Sequence, residues 1–329
     1  MITREGMRRR NFLALAGAAA LAPTSARAET QAPPGKIGYI HPRTIAPGHS
    51  TIAVLRPVWQ SLGYSIGETV FLRSAEDDPS RIPAIVAELV KLGVGVLIVI
   101  GAEAVRAALK VGSVPVVAID LETDPVRAGF AASYGRPGGN VTGLYLDQPS
   151  IAGKWIELLR EAAPDIRRVA VCYDPATSPH QMEAAMAAAR AHGLDGVVLE
   201  TAPTTARYET QFRDLASGPK TGAVQLTVPG FIMGAANFAE AAQRWKLPTI
   251  AFFKLYAAAG VLMTYGPNPE IYFRRAAVMA DKILRGTRAG DLPIEAPTRF
   301  ELAINLKTAA AIGVKMPATL VVLADEVIE

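Results

Sequence analysis

The chain has 329 residues, half of them apolar and 19% charged, with one cysteine and a formal net charge of +4. This composition excludes a disordered chain and an intrachain disulfide scaffold, and it supplies enough apolar residues for two α/β lobes or one large domain. The positive charge sits at the start: residues 1–28 hold Arg4, Arg8, Arg9, Arg10 and Arg27 against Glu5, so the remainder is formally neutral. No electrostatic case for nucleic acid or an anionic membrane survives.

Residues 1–28 read as an export signal. Arg8, Arg9 and Arg10 precede an apolar run at 12–22, and Ala26-Arg27-Ala28 supplies the small residues of a cleavage site. Arg9-Arg10-Asn11-Phe12-Leu13 resembles the twin-arginine signal; an ordinary signal that happens to carry two arginines is the alternative. After residue 28 no stretch approaches the ~20 apolar residues of a membrane span. No cysteine follows the signal, so a soluble periplasmic protein without a lipid anchor is expected.

In chain order the pattern predicts strands over 36–40, 70–73, 94–100, 116–120, 141–144, 169–173, 197–200, 223–227, 249–251 and 261–265. Helices are predicted over 51–62, 81–92, 103–110, 151–161, 181–192, 208–215, 236–245 and 270–284. Such alternation implies α/β architecture with parallel sheets covered by helices on both faces. The order also repeats. A helix ends at Gly63 and a Pro-led strand begins at Pro115; a second helix ends at Gly193 and a matching strand begins at Pro248. Two similar lobes explain that spacing.

Doubly wound sheets bind ligands beyond the carboxyl ends of their strands, so facing lobes would line a cleft from two such edges. The residues this rule selects are His41 to Arg43, Gly101, Ala102, Glu103, Asp120 to Asp124, Asp174, Val228, Pro229, Phe252 and Phe253 with Tyr265, and Lys254 is a nearby base. Several are acidic. Asp124 before Pro125 can equally cap the segment that follows, and Glu103 can serve as a first-turn acid of its helix.

Catalytic and cofactor motifs are missing. There is no phosphate-binding glycine loop, no dinucleotide fingerprint, no nucleophile elbow and no zinc-protease motif, and no cofactor is called for. His41, His49, His180 and His192 show no metal spacing, so no metal site is expected. Cys172 lies in an apolar run and reads as a buried structural thiol. Arg136-Pro137-Gly138-Gly139-Asn140 precedes a strand and reads as a tight turn.

Several stretches carry a family resemblance. They are Asp-Asp-Pro-Ser-Arg-Ile-Pro at 77–83, Thr-Asp-Pro-Val at 123–126, Arg-Pro-Gly-Gly-Asn-Val-Thr-Gly at 136–143 and Leu-Met-Thr-Tyr-Gly at 262–266. Further on come Phe-Arg-Arg-Ala at 273–276, Asp-Lys-Ile-Leu at 281–284, Asp-Leu-Pro-Ile-Glu at 291–295, Phe-Glu-Leu-Ala-Ile-Asn-Leu-Lys at 300–307 and Ala-Asp-Glu-Val-Ile at 324–328. In this order they make the chain resemble the ABC-transporter substrate-binding proteins of the TrpX/YtrP-like group.

The resemblance implies a type I periplasmic-binding-protein fold: two Rossmann-like lobes joined by a hinge of three strands. One lobe would comprise 36–147 plus about 267–292, the other 148–266 plus about 293–329, although the final segment could join either sheet. It further implies a monomer that captures a small solute for a membrane permease driven by a separate ATPase. The group usually follows the third strand with Gly and then Thr or Ser, and the sixth with Asn-Pro-Ala. Here Gly101-Ala102-Glu103 and Asp174-Pro175-Ala176 add acids. An amino-acid-like ligand, aromatic or amine-bearing, is the expectation, with Tyr173, Phe231 or Tyr265 offering an aromatic face. A carboxylate-dependent periplasmic hydrolase or isomerase and a ligand-sensing subunit of a membrane receptor are the alternatives.

Overall fold

Strands that alternate with amphipathic helices pair most economically in parallel, each helix serving as the crossover. The computed structural model describes residues 34–46, 49–120, 124–145, 151–175, 179–201, 205–226 and 234–329, with the backbone alone for Asp120, Thr205 and Ala206. Its first part runs β1 (Ile37–His41), α1 (Ser50–Ser61), β2 (Val70–Ser74), α2 (Ile82–Lys91), β3 (Val96–Ile100), α3 (Ala102–Val111), β4 (Val116–Asp120) and β5 (Val141–Tyr145). These five strands form one parallel sheet in the order β2-β1-β3-β4-β5. Val-Leu-Ile-Val-Ile of β3 is buried throughout, as a central parallel strand covered on both faces must be.

The second part comprises α4 (Ile151–Ala162), β6 (Arg168–Tyr173), α5 (Pro179–Ala191), β7 (Asp195–Glu200), α6 (Thr205–Ala216), β8 (Thr221–Gln225), α7 (Ala235–Arg244), β9 (Thr249–Ala251), α8 (Leu255–Ala258) and β10 (Met263–Gly266). After it come α9 (Pro269–Leu284), β11 (Glu301–Asn305), α10 (Leu306–Ile312), α11 (Ala318–Leu323) and β12 (Glu326–Ile328). The second sheet has the order β12-β11-β10-β9-β8-β6-β7. Read from β7 inward, its order 7-6-8-9-10 repeats the 2-1-3-4-5 of the first sheet. The repeated helix-Gly and Pro-strand punctuation thus corresponds to a repeated topology.

Two segments cross between the sheets in ways that local pattern does not announce. α9 starts with Asn268 as N-cap, its side chain accepting from Glu270 N–H at 3.0 Å, and Pro269 at the first position. Its apolar residues Tyr272, Phe273, Ala276 and Met279 pack into the core of the first sheet with Leu55 and Trp59 of α1. Asp281 of α9 accepts from Tyr64 Oη at 2.9 Å and pairs with Arg285 at 2.9 Å, which fixes the helix end. The chain then runs along β5, where Glu295 N–H donates to Gly143 O at 2.9 Å and Tyr145 N–H to Glu295 O at 3.0 Å. Arg275 Nε holds the Glu295 carboxylate at 2.7 Å. From there it enters β11, antiparallel to β10, and β12 closes that edge in parallel with β11.

The core of the second sheet is one cluster from Ile151 to Leu320. Trp155, fully buried in α4, donates Nε1–H to Tyr265 O at 2.8 Å and meets Phe252 edge-on at 5.7 Å. Cys172 is buried in β6 and unbonded to any other cysteine, and burial raises its thiol pKa well above the usual range. The 136–140 segment is the expected turn: Gly138 N–H donates to Gly290 O at 3.1 Å and β5 follows. No described helix is long and apolar enough to cross a membrane.

Candidate functional site

In each sheet the strand order reverses direction beside one strand, between β1 and β3 in the first and between β6 and β8 in the second. The crevice outside the carboxyl ends at such a switch point is where open α/β sheets bind ligands. In the first sheet it lies between His41–Arg43 and Gly101–Glu103. In the second it lies between Tyr173-Asp174 and the segment after Gln225. Sequence reasoning selects these same edges because they are where predicted strands end.

His41 closes β1 and is 8% exposed. Its ring stacks on Tyr39 at 6.2 Å and meets His49 edge-on at 4.7 Å, while Arg43 N–H donates to its Nδ1 at 3.1 Å. Burial lowers its pKa to about 4, the Arg43 backbone bond opposes that shift, and the charges of His49 and Arg43 add to it. At neutral pH His41 therefore contributes hydrogen bonding and ring surface, not charge.

Gly101 follows β3 with φ 86° and ψ 153°, a conformation essentially confined to glycine. It lets the chain turn directly into α3, whose first residues are the half-buried Ala102 and the exposed Glu103. No side chain caps this helix start. Asp120 ends β4 opposite Tyr145 in register. Asp124 is half-buried, and its Oδ1 accepts from Val126 N–H at 2.9 Å and Arg127 N–H at 3.2 Å, so this oxygen caps the turn that follows.

On the second sheet Tyr173 and Asp174 stand half-buried at the end of β6. Tyr265 sits on β10, its ring stacked on Phe300 at 5.7 Å. Phe252 and Phe253, after β9, are buried and edge-on to each other at 4.5 Å. Val228, Pro229 and Phe231 lie outside the described residues.

The structure adds pairings that the sequence does not mark. Arg43 pairs with Asp77 at 3.0 Å, and its charge reaches Tyr256 of the opposite lobe, where burial first raises the phenol pKa and Arg43 opposes the rise. Arg127, beyond β4, reaches His180 in the first turn of α5, with Nη1 3.3 Å from Nδ1. The Arg127–His180 contact joins the lobes, and neither it nor the Arg43–Asp77 pair could be read from residues so far apart in sequence. Among the described residues no group of three or more His, Cys, Asp or Glu is placed to hold a metal ion.

Two α/β lobes with the same strand order, joined by crossing segments and facing each other across carboxyl edges, define the type I periplasmic-binding-protein fold. Residues 55–328 match the family of ABC transporter substrate binding proteins, and the chain belongs to that family. It is 24% identical over 258 residues to the tyrosine-binding protein of Clostridioides difficile, covering 77% of this chain and 73% of that one. A conserved domain protein from Vibrio cholerae shares the fold with a TM-score of 0.77 at 22% identity, over 89% of this chain and 99% of that one. An ABC domain from Streptococcus pneumoniae in complex with L-Trp also gives 0.77, at 21% identity and the same coverage.

Proposed function

We propose that this protein is the solute-capturing component of an ABC importer, exported by its first 28 residues to the periplasm and working as a monomer. It binds a free amino acid, aromatic or otherwise amine-bearing, between the two switch-point crevices and presents it to a membrane permease powered by a separate ATPase. The observation that carries this reading is the family match across residues 55–328. Relatives named for tyrosine binding and for an L-Trp complex support the amino-acid class.

A ligand touching Gly101–Glu103 on one lobe and Tyr173-Asp174 on the other favours the closed arrangement by its differential affinity for that state. Micromolar capture needs about 8 kcal/mol net, within reach of a few buried hydrogen bonds and one aromatic ring. Since the Asp124 Oδ1 caps a turn, Glu103 is a better partner for an amine than that oxygen.

Thermal unfolding with amino acids, amines, nucleosides, sugars and small carboxylic acids tests the reading. A true ligand at a hundredfold excess over Kd adds about 2.7 kcal/mol and raises Tm by several degrees. L-Tyr or L-Trp is expected to do so and to be recovered chemically unchanged. A panel in which no amino acid shifts Tm, or in which the ligand is consumed, would overturn it.

A further inference from the structure

Two of the segments that join the lobes are held firmly at both ends, which leaves few bonds for the lobes to turn about. On the second-lobe side β10 ends rigidly. Tyr265 O accepts from Trp155 Nε1–H at 2.8 Å, Gly266 pairs with Glu301 of β11, and a Cβ at Gly266 would meet Phe252 O at 1.8 Å. On the first-lobe side α9 begins at Pro269 and buries Tyr272 and Phe273 in the core of the first sheet. Only Pro267 and Asn268 lie between. Proline rings fix φ at 267 and again at 269, so the torsions of Asn268 (φ −78°, ψ 112°) carry most of the freedom left in this crossing. The other crossing, from Leu292, is fastened to the first lobe as far as Glu295. Thr142 Oγ1 donates to Leu292 O at 2.8 Å, Ile294 N–H to Tyr134 O at 2.7 Å, and Arg275 Nε holds the Glu295 carboxylate at 2.7 Å. It joins the second sheet at Glu301. The half-buried Asn268 side chain bonds to both lobes: Oδ1 accepts from Glu270 N–H of α9 at 3.0 Å, and Nδ2 donates to Glu301 Oε1 of β11 at 3.2 Å.

We infer that Asn268 is the swivel between the lobes, and that its bond to Glu301 is the detent holding them at the angle where Arg127 meets His180; this rests on the reading above, of two lobes closing on a solute. Hinges are a few element-terminal residues that absorb a change in φ and ψ. When the Asn268 torsions turn, Oδ1 stays with α9, whose first turn it caps. Glu301 belongs to the other body, so the distance from Nδ2 to Oε1 follows the lobe angle. A bond of 3.2 Å is already at the long end of the N–H···O range, so it is made at one angle and lost beyond it. The same bond ties the two crossings to each other, and they turn together. A contact present at one lobe angle strengthens any ligand that favours that angle.

Calorimetric titration with L-tyrosine and L-tryptophan, and small-angle X-ray scattering of the ligand-free protein, test this on the wild type, Asn268→Asp, Glu301→Gln and the double variant. Aspartate caps a helix as well as asparagine does, so Asn268→Asp keeps the start of α9 while setting a carboxylate against Glu301. It is expected to weaken both amino acids by at least ~5-fold, the low end of ordinary coupling between sites, and to raise the radius of gyration as the lobes part. Glu301→Gln keeps an acceptor for Nδ2 and should stay within about threefold of the wild type. Glu301 also helps to raise the Lys254 pKa, behind the hydrogen bond from Glu326, so this single variant is the reference for the double one. In the double variant the glutamine amide donates to the aspartate carboxylate, and both affinity and radius should return to those of Glu301→Gln. A merely structural bond would lower the unfolding stability of Asn268→Asp and move neither readout. An unchanged affinity, an unchanged radius, or a double variant no better than Asn268→Asp overturns the swivel while the solute reading stands. If the wild type binds neither amino acid, the amino-acid reading fails, and the radius of gyration across the same four proteins decides the swivel by itself.

Discussion

His41 shows how a residue's neighbours decide its chemistry. Tyr39, His49 and the Arg43 loop surround the ring, and burial holds its pKa near 4 against 6.5 in an unfolded chain. Its folded pKa is the lower one, so its contribution to stability is complete above pH 6.5. As pH falls, the unfolded chain takes up the proton first, and that stability is lost between about 6.5 and 4. The shift corresponds to about 3 kcal/mol. Denaturant titrations at pH 7 and pH 4 should show the wild type losing that much more than His41→Asn. Equal losses would mean that His41 is solvated. The same environment argument covers Cys172, whose thiol is buried in a β-strand and raised in pKa, and so suits packing rather than nucleophilic work.

Among the elements, those with long periodic patterns are legible in the sequence. The predicted helix at 270–284 and α9 at Pro269–Leu284 differ by one residue at the start, because Asn268 and Pro269 mark the cap. Strands β4 and β9 match their predicted spans. The elements that the pattern does not reveal are short: α8, α10, α11 and the closing strands β11 and β12. Three to seven residues carry little periodicity, and β11 pairs antiparallel with a strand 35 to 41 positions away. Two cap signals were available for α10, since Asn305 accepts from Thr308 N–H at 2.9 Å and Gly313 ends the helix at φ 74°. β10 ends where the chain leaves for α9, and there Gly266 is so close to β9 that a Cβ would lie 1.8 Å from Phe252 O. Backbone cannot yield as a flexible side chain does. Gly266→Ala should therefore cost about 1–3 kcal/mol or more in chemical denaturation; a cost below ~0.5 kcal/mol, the range of neutral surface changes, would show that the strand spacing there can relax.

At the scale of the molecule, the proposed function depends on two lobes that close on a solute. Arg127 and His180 meet across the lobes at an exposed site. An exposed hydrogen bond of this kind contributes about 0.5–1 kcal/mol. A contact made only with the lobes together adds that amount to ligand affinity through the closed state. Arg127→Gln should weaken amino-acid binding by roughly two- to fivefold, the equivalent of that energy, and leave the ligand-free Tm unchanged. A lowered ligand-free Tm with unaltered affinity would make the contact a stabiliser of one lobe instead of a latch between two.

The sequence alone determined the α/β class and, through the Gly63–Pro115 and Gly193–Pro248 spacing, the doubled lobe, and it selects the strand edges proposed here for the ligand. These are local properties: apolar period, cap residues and strand ends follow from neighbours a few positions apart. Tertiary structure decided the rest. Asp124 is compatible in sequence with capping or ligand binding until its Oδ1 is seen on two backbone amides. Arg43 becomes a fixed cation only because Ser74 and Asp77, more than 30 residues further on, are folded against it. The packing of α9 on the first sheet and of β11 on the second depends on contacts between distant segments, which local periodicity does not encode.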